Sequence, residues 1–134
     1  MTDCIFCKLA SGEIATNKVY EDDKTFAFLD MHPIRPGHVL VIPKTHVPDF
    51  YNIDDETYTA LMTTVKKISK RLKEVFNPQK VGLMVAGWDV PHAHVHVVPM
   101  EDHQDITSRS TYLEENKIPS AEELANTAKL VIDL

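Results

Sequence analysis

The spacing of apolar positions changes along the chain and sorts it into strands and helices. Val19-Tyr20 and Thr25-Phe26-Ala27-Phe28-Leu29 flank the polar stretch Glu21-Asp22-Asp23-Lys24, which is the pattern of a β-hairpin. Pro33-Ile34-Arg35-Pro36-Gly37 is punctuated as a turn, and the run Val39-Leu40-Val41-Ile42 after it predicts a buried central strand ending at Pro43. From Asp54 the period lengthens. Asp54, Asp55 and Glu56 suit the positive end of a helix dipole, Leu61, Val65, Ile68, Leu72 and Val75 form a stripe at helical spacing, and Asn77-Pro78 stops it. Lys66, Lys67, Lys70, Arg71 and Lys73 fill the remaining faces as a solvated surface. Gly82-Leu83-Met84-Val85 and His92 through Val98 read as two further strands around Gly87-Trp88-Asp89. Ser120 and Glu123 make a capping box ahead of Leu124, Ala128 and Val131, predicting a short C-terminal helix. Strands interrupted by one long helix imply an α+β fold with an antiparallel sheet.

Length and charge narrow the function classes. The 134 residues fit a single domain over 1–134, with 101–134 as a C-terminal extension carrying the short helix. Net charge is −6, and it is uneven: residues 1–100 hold 11 basic against 12 acidic groups, residues 101–134 hold 3 against 8. A near-neutral body with an acidic tail argues against the broad basic face that nucleic acid requires. No apolar run approaches the roughly 18 residues of a membrane span, and MTDCIFCKLASGE lacks the basic start and long apolar stretch of a signal peptide. The expectation is a soluble, cytoplasmic chain without a membrane partner.

Candidate chemistry concentrates in His92-Ala93-His94-Val95-His96-Val97-Val98. In a strand, alternation sends the three imidazoles to one face and Ala93, Val95 and Val97 to the other, with same-face neighbours about 7 Å apart along the strand. Such rings can converge on one small group. Three readings stay open on the pattern alone: exposed histidines without a role, a metal site, or nucleophilic chemistry by a neutral ring nitrogen attacking phosphorus. Cys4 and Cys7, the only cysteines, have the Cys-x-x-Cys spacing of a zinc half-site, and a chain of this length needs no disulfide staple.

HAHVHVV resembles the His-x-His-x-His-x-x motif, with apolar x, of the histidine-triad (HIT) proteins. The stretch CIFCKLASGEIATNKVYEDDKTFAFLDMHPIRPGHVLVIPKTH is similar to the N-terminal half of the bacterial, Hint-like branch, so the resemblance spans about residues 4–100. It implies an α+β fold that pairs into a homodimer. It further implies nucleotidyl hydrolase or transferase activity on phosphoramidates or dinucleoside polyphosphates, with small adenine-type nucleotides as substrates. By the same resemblance His94 is the nucleophile, His96 contacts the phosphate region, and His38 of Pro36-Gly37-His38 is a further active-site histidine. Asp30 takes the place of a ribose-hydroxyl acceptor, and Ile5, Phe6, Leu9 and Phe28 match the walls of a base pocket. Cys4, Cys7, His46 and His92 match the zinc ligands of bacterial members, and such a two-sulfur, two-nitrogen set is a closed structural site. The chemistry itself requires no divalent cofactor, because positioned donors can stabilise the phosphoryl oxygens.

Ahead of the triad this chain departs from the family. The segment VGLMVAGWDVPH is short, Trp88 and Asp89 stand where Gln and Ser or Thr are usual, and Met100 follows Pro99 where Arg is common. Two readings of Asp89 follow: the shortened turn points it into solvent, or it faces the phosphate and leaving-group region as a carboxylate in place of a hydroxyl and selects substrates with a basic amine on the leaving side. This difference favours a rival reading, a slow-turnover nucleotide-binding regulatory module with a structural zinc. A third reading, a zinc hydrolase with the triad as its metal site, is opposed by Cys4 and Cys7, which offer the metal another home.

Overall fold

The computed structural model describes residues 3–107 and 118–132. The elements are α1 (Ile5–Ser11), β1 (Lys18–Glu21), β2 (Thr25–Leu29), β3 (Val39–Pro43), α2 (Asp55–Phe76), β4 (Lys80–Met84), β5 (Val95–Met100) and α3 (Ala121–Ile132). The strands form one five-stranded sheet in the order β1-β2-β3-β5-β4, and every neighbouring pair is antiparallel. The α+β expectation holds. Residues 108–117 and 133–134 of the expected extension lie outside the described residues.

Local chemistry explains the boundaries. Asp22 Oδ1 closes the β1–β2 hairpin by accepting from the Lys24 and Thr25 N–H groups at 2.9 and 2.7 Å. The Asp54 carboxylate caps α2 by accepting from Thr57 N–H, and Asn77 ends it in the left-handed conformation that Asn tolerates. The capping box of α3 is present in both directions between Ser120 and Glu123. Val75 is only half-buried, and Phe76 supplies the apolar contact at the end of α2. The helix α1 was not anticipated: Phe6 and Leu9 are its buried side, and Gly12, at φ 83°, ends it where a side chain would be strained. β4 starts at Lys80 and stops at Met84, earlier at both ends than the pattern suggested.

Strand alternation gives the sheet two differently furnished faces. Ala27, Leu29, Val39, Val41, Val95 and Val97 belong to the cluster that takes up Leu61, Val65, Ile68 and Leu72 of α2, with Ala128 and Val131 of α3 joining it. Phe26, Phe28, Leu40 and Ile42 point the other way and pack with Phe6 and Leu9 of α1. In the pairing register Phe28 lies beside Leu40, Leu40 beside His96, and His96 beside Met84. The α1-covered face thus becomes polar where β5 enters it.

Candidate active site

The ladder of β5 starts at Val95, not at His92 as the alternation suggested. Ala93 N–H donates to Val47 C=O at 2.7 Å and His92 N–H to Val90 C=O at 2.8 Å, so this arm is held by the preceding loops instead of by a neighbouring strand. All three histidines are buried, but they do not share one environment.

His94 sits in the middle. Its Nδ1 lies 2.8 Å from the His92 carbonyl oxygen, which can only accept, so Nδ1 carries the proton and the lone pair is on Nε2. The edge of the Phe6 ring meets it with centroids 5.1 Å apart, and His96 stands at the same distance on another side.

His96 is tied to His38. Ile34 N–H donates to His38 Nδ1 at 3.0 Å, which leaves the proton of a neutral His38 on Nε2. That Nε2–H donates across 2.9 Å to His96 Nδ1, so His96 in turn carries its proton on Nε2. Burial, followed by the charge of the neighbouring histidine, pushes His38 down to about 3 and His96 down to about 4, so both rings are neutral at physiological pH. Asp30 Oδ2 stands 3.6 Å from His38 Nε2, and Asp30 Oδ1 accepts from His32 N–H at 2.8 Å. Burial holds the Asp30 carboxyl above its ordinary range, partly offset by that N–H. The turn placing His38 depends on Gly37, whose φ is 95° and whose missing Cβ would lie 2.5 Å from the Phe76 ring.

His92 faces sulfur. Its Nε2 lies 2.8 Å from Pro43 C=O, so that nitrogen donates and the Nδ1 lone pair is free. Nδ1 is 3.4 Å from Cys4 Sγ and 3.5 Å from Cys7 Sγ, and Cys7 Sγ is 3.4 Å from His46 Nδ1. These four ligand atoms lie within 4.8 Å of one another. Tetrahedral zinc, with its usual bond lengths to sulfur and nitrogen, sets sulfur–nitrogen edges of about 3.5 Å, so the cluster fits the ion. Burial and the adjacent Cys4 raise the Cys7 thiol.

The remaining candidates surround this core unevenly. Phe6 packs edge-on against Phe28, and both are buried with Leu9, whereas Ile5 is 48% exposed. Asp89 is exposed and lines a cavity of about 340 Å³ with Ile5, His46, Val90 and Pro91. Its charge contributes to raising Asp30 and to opposing the depression of His96. Another cavity, of about 440 Å³, is lined by Asp30, His38, the 33–37 turn and α3, and does not include His94 or His96. Five of the seven histidines therefore form a run along β3 and β5, from His46 and His92 beside the Pro43 end of β3, through His94, to His96 and His38 at its Val39 end, while His32 and His103 are exposed. Sequence reasoning overlooked Arg35 and Asp105, an ion pair bordering the His38 turn, because nothing local signals a contact across 70 positions.

Comparison with known proteins identifies the family. The family pattern described as the HIT domain matches residues 11–103. The chain belongs to the HIT family. Among its relatives, the adenosine 5'-monophosphoramidase of Candida albicans is 39% identical over 74% of this chain and 71% of its own length. A HIT-like protein involved in cell-cycle regulation from Bartonella henselae has the same fold, with a TM-score of 0.81 and 33% identity over 98% of this chain and 96% of that one. A zinc-bound histidine triad protein from Mycobacterium smegmatis superposes with a TM-score of 0.76 at 25% identity, covering 98% and 91%. Within this HIT protein no described helix is long and apolar enough to cross a membrane.

Proposed function

We propose that this chain is a nucleoside phosphoramidase that cleaves the α-phosphate linkage of adenine-type nucleotides through a nucleotidyl-His94 intermediate. The carrying observation is the hydrogen bond from His94 Nδ1–H to the His92 carbonyl, which leaves Nε2 as a neutral, oriented nucleophile. Its Nε2 attacks the α-phosphorus, a bond to phosphorus forms, and the bond to the leaving amine breaks as that amine takes up a proton from solvent water. Water then displaces His94 and releases the monophosphate. His96, with its proton on Nε2, donates to a phosphoryl oxygen as charge develops there. Asp30 accepts from the ribose hydroxyls, and Ile5, Phe6, Leu9 and Phe28 border the base. The kinship with an adenosine 5'-monophosphoramidase supports this substrate class, and dinucleoside polyphosphates are the other leaving-group type it accommodates.

Cys4, Cys7, His46 and His92 would hold one structural zinc. Four protein ligands leave no open position, so its contribution is to fix His92, whose carbonyl orients His94. We further read the chain as one cytoplasmic domain acting as a homodimer on small nucleotides, without nucleic acid or membrane partners. The second reading, slow turnover in a nucleotide-binding module, draws on Trp88 and Asp89 standing where the resemblance leads one to expect Gln and Ser or Thr.

Acid quenching during turnover of labelled adenosine 5'-phosphoramidate, followed by mapping of the labelled residue, tests the proposal. Label on His94, with a rate of formation matching turnover, supports it. Rapid turnover without any labelled protein, or label elsewhere, overturns it, and label that forms but discharges slowly favours the binding module.

A further inference from the structure

Beyond the histidines, a second tie joins the segments that carry His38 and His96. Arg35 donates from Nε to Asp105 Oδ2 at 2.9 Å and from Nη2 to Oδ1 at 3.0 Å, a bidentate pair. Asp105 Oδ2 also accepts the N–H groups of Glu101 and Asp102, at 2.9 and 3.2 Å, directly after β5. The Asp105 side chain is only 8% exposed. On the other side, Arg35 C=O accepts from His38 N–H at 3.0 Å, and its sequence neighbour Ile34 supplies the N–H that sets the His38 tautomer. A continuous path thus runs from Asp105 through Arg35 and the turn to His38, and from there to His96.

We infer that the Arg35–Asp105 pair is a positioning device for His96. It pins the 33–37 turn to the loop after β5, keeps Ile34 N–H on His38 Nδ1, and so holds His96 in the tautomer that presents Nε2–H to substrate. The need for it follows from the weakness of the other tie. A hydrogen bond between two neutral imidazoles works with either tautomer order, so His38 and His96 alone do not select one. A backbone N–H, which can only donate, selects it, provided the turn is rigid. Burial raises the Asp105 carboxyl, but Arg35 and the two backbone donors outweigh this and hold it below the usual range, so the pair is fully charged at neutral pH. The catalytic consequence rests on the phosphoramidase reading, whereas the tautomer consequence does not.

The test compares Asp105→Asn, Arg35→Ala and Arg35→Lys in the full chain with two readouts. Long-range ¹H–¹⁵N spectra report the ring tautomers of His38 and His96 at neutral pH without any substrate. Steady-state kinetics on adenosine 5'-phosphoramidate separate kcat from KM. Asp105→Asn and Arg35→Ala are expected to turn His96 from one tautomer into a mixture. They should also lower kcat about tenfold with KM within about twofold, the pattern of a lost transition-state contact. Arg35→Lys, which keeps the charge but not the fork, is expected to fall between them and the parent chain. A single, unchanged His96 tautomer in folded Asp105→Asn or Arg35→Lys overturns the inference, as does a tautomer mixture with undiminished kcat. If the chain proves to have no phosphoramidase activity, the function proposal falls and the spectra alone decide the tautomer claim.

Discussion

The two ends of the histidine arm are built from the same residue type and the same alternation, yet they differ in what meets each ring. At His92 a carbonyl, Pro43 C=O, takes the Nε2 proton and two thiols face the bare Nδ1. At His96 a donor, the Nε2–H of His38, takes up Nδ1 and leaves the proton on Nε2 for solvent or substrate. The first arrangement leaves a lone pair facing sulfur, as the proposed zinc ligand needs; the second leaves an N–H, as the proposed phosphate donor needs. His94 lies between them with its proton turned inward onto the His92 carbonyl, so its lone pair is on Nε2. An imidazole's role is thus assigned by which of its nitrogens meets an obligate acceptor or donor, and those partners come from distant segments.

The largest test of this contrast removes the middle ring. His94→Ala should lower turnover of a phosphoramidate by at least about a thousandfold, roughly 4 kcal/mol of barrier, while nucleotide binding survives. Isothermal titration with the monophosphate beside the kinetic assay would show both, and substantial turnover in the variant would remove His94 from its role.

Disturbing the sulfur end should do less. Cys4→Ser is expected to reduce bound zinc from about one per chain, lower the thermal midpoint by several degrees, and slow kcat about tenfold through looser support of the His92 carbonyl. Elemental analysis under non-chelating conditions and calorimetry check the first two, and a metal-free parent protein would rule the ligand set out.

Both ends were partly legible in the sequence, and for different reasons. Alternation around His94 and the Cys4-x-x-Cys7 spacing are local patterns, so the ring face and a half-site could be read directly. The long stripe of α2 and the Ser120–Glu123 capping box were equally local and equally readable. What could not be read is the set of partners that fixes the tautomers: Pro43 C=O for His92, Ile34 N–H for His38, and the Arg35–Asp105 pair behind it. These come from turns brought to the arm by the packing of β3, β5 and α2. The late start of the β5 ladder has the same origin, because the Ala93 N–H is claimed by Val47, in a loop with no strand signal. Helix α1 was hidden because its seven residues offer only Phe6 and Leu9 as a stripe, too few to establish a period.

The His96 end also makes an acid-side prediction, in the same direction as the burial-lowered His92. His38 and His96 are depressed to about 3 and about 4 in the fold, while in the unfolded chain they take up protons near 6.5. Between those values the unfolded state binds more protons, so stability falls as pH drops from about 6.5 toward about 4. Replacing both rings by Asn should flatten that slope by up to about two protons, as read from denaturant midpoints across the interval. An unaltered slope would mean that these rings are not buried neutral.

The smallest expected effect concerns Asp89. If it faces the leaving group, its carboxylate opposes anionic leaving groups and favours cationic amines. Asp89→Ser should therefore raise kcat/KM for neutral phosphoramidates and dinucleotides, and lower it for a lysine-type phosphoramidate, by about tenfold each way. Equal effects on both classes would reduce Asp89 to a turn residue.

The central claim is that three neighbouring histidines are held in three assigned tautomers, and long-range ¹H–¹⁵N correlation of their ring nitrogens in the zinc-loaded parent protein at neutral pH measures it. The expected spectrum has His92 protonated on Nε2 with Nδ1 shifted by metal, His94 protonated on Nδ1, and His96 protonated on Nε2. A His94 ring protonated on Nε2 at neutral pH would leave no lone pair for phosphorus and would contradict the account.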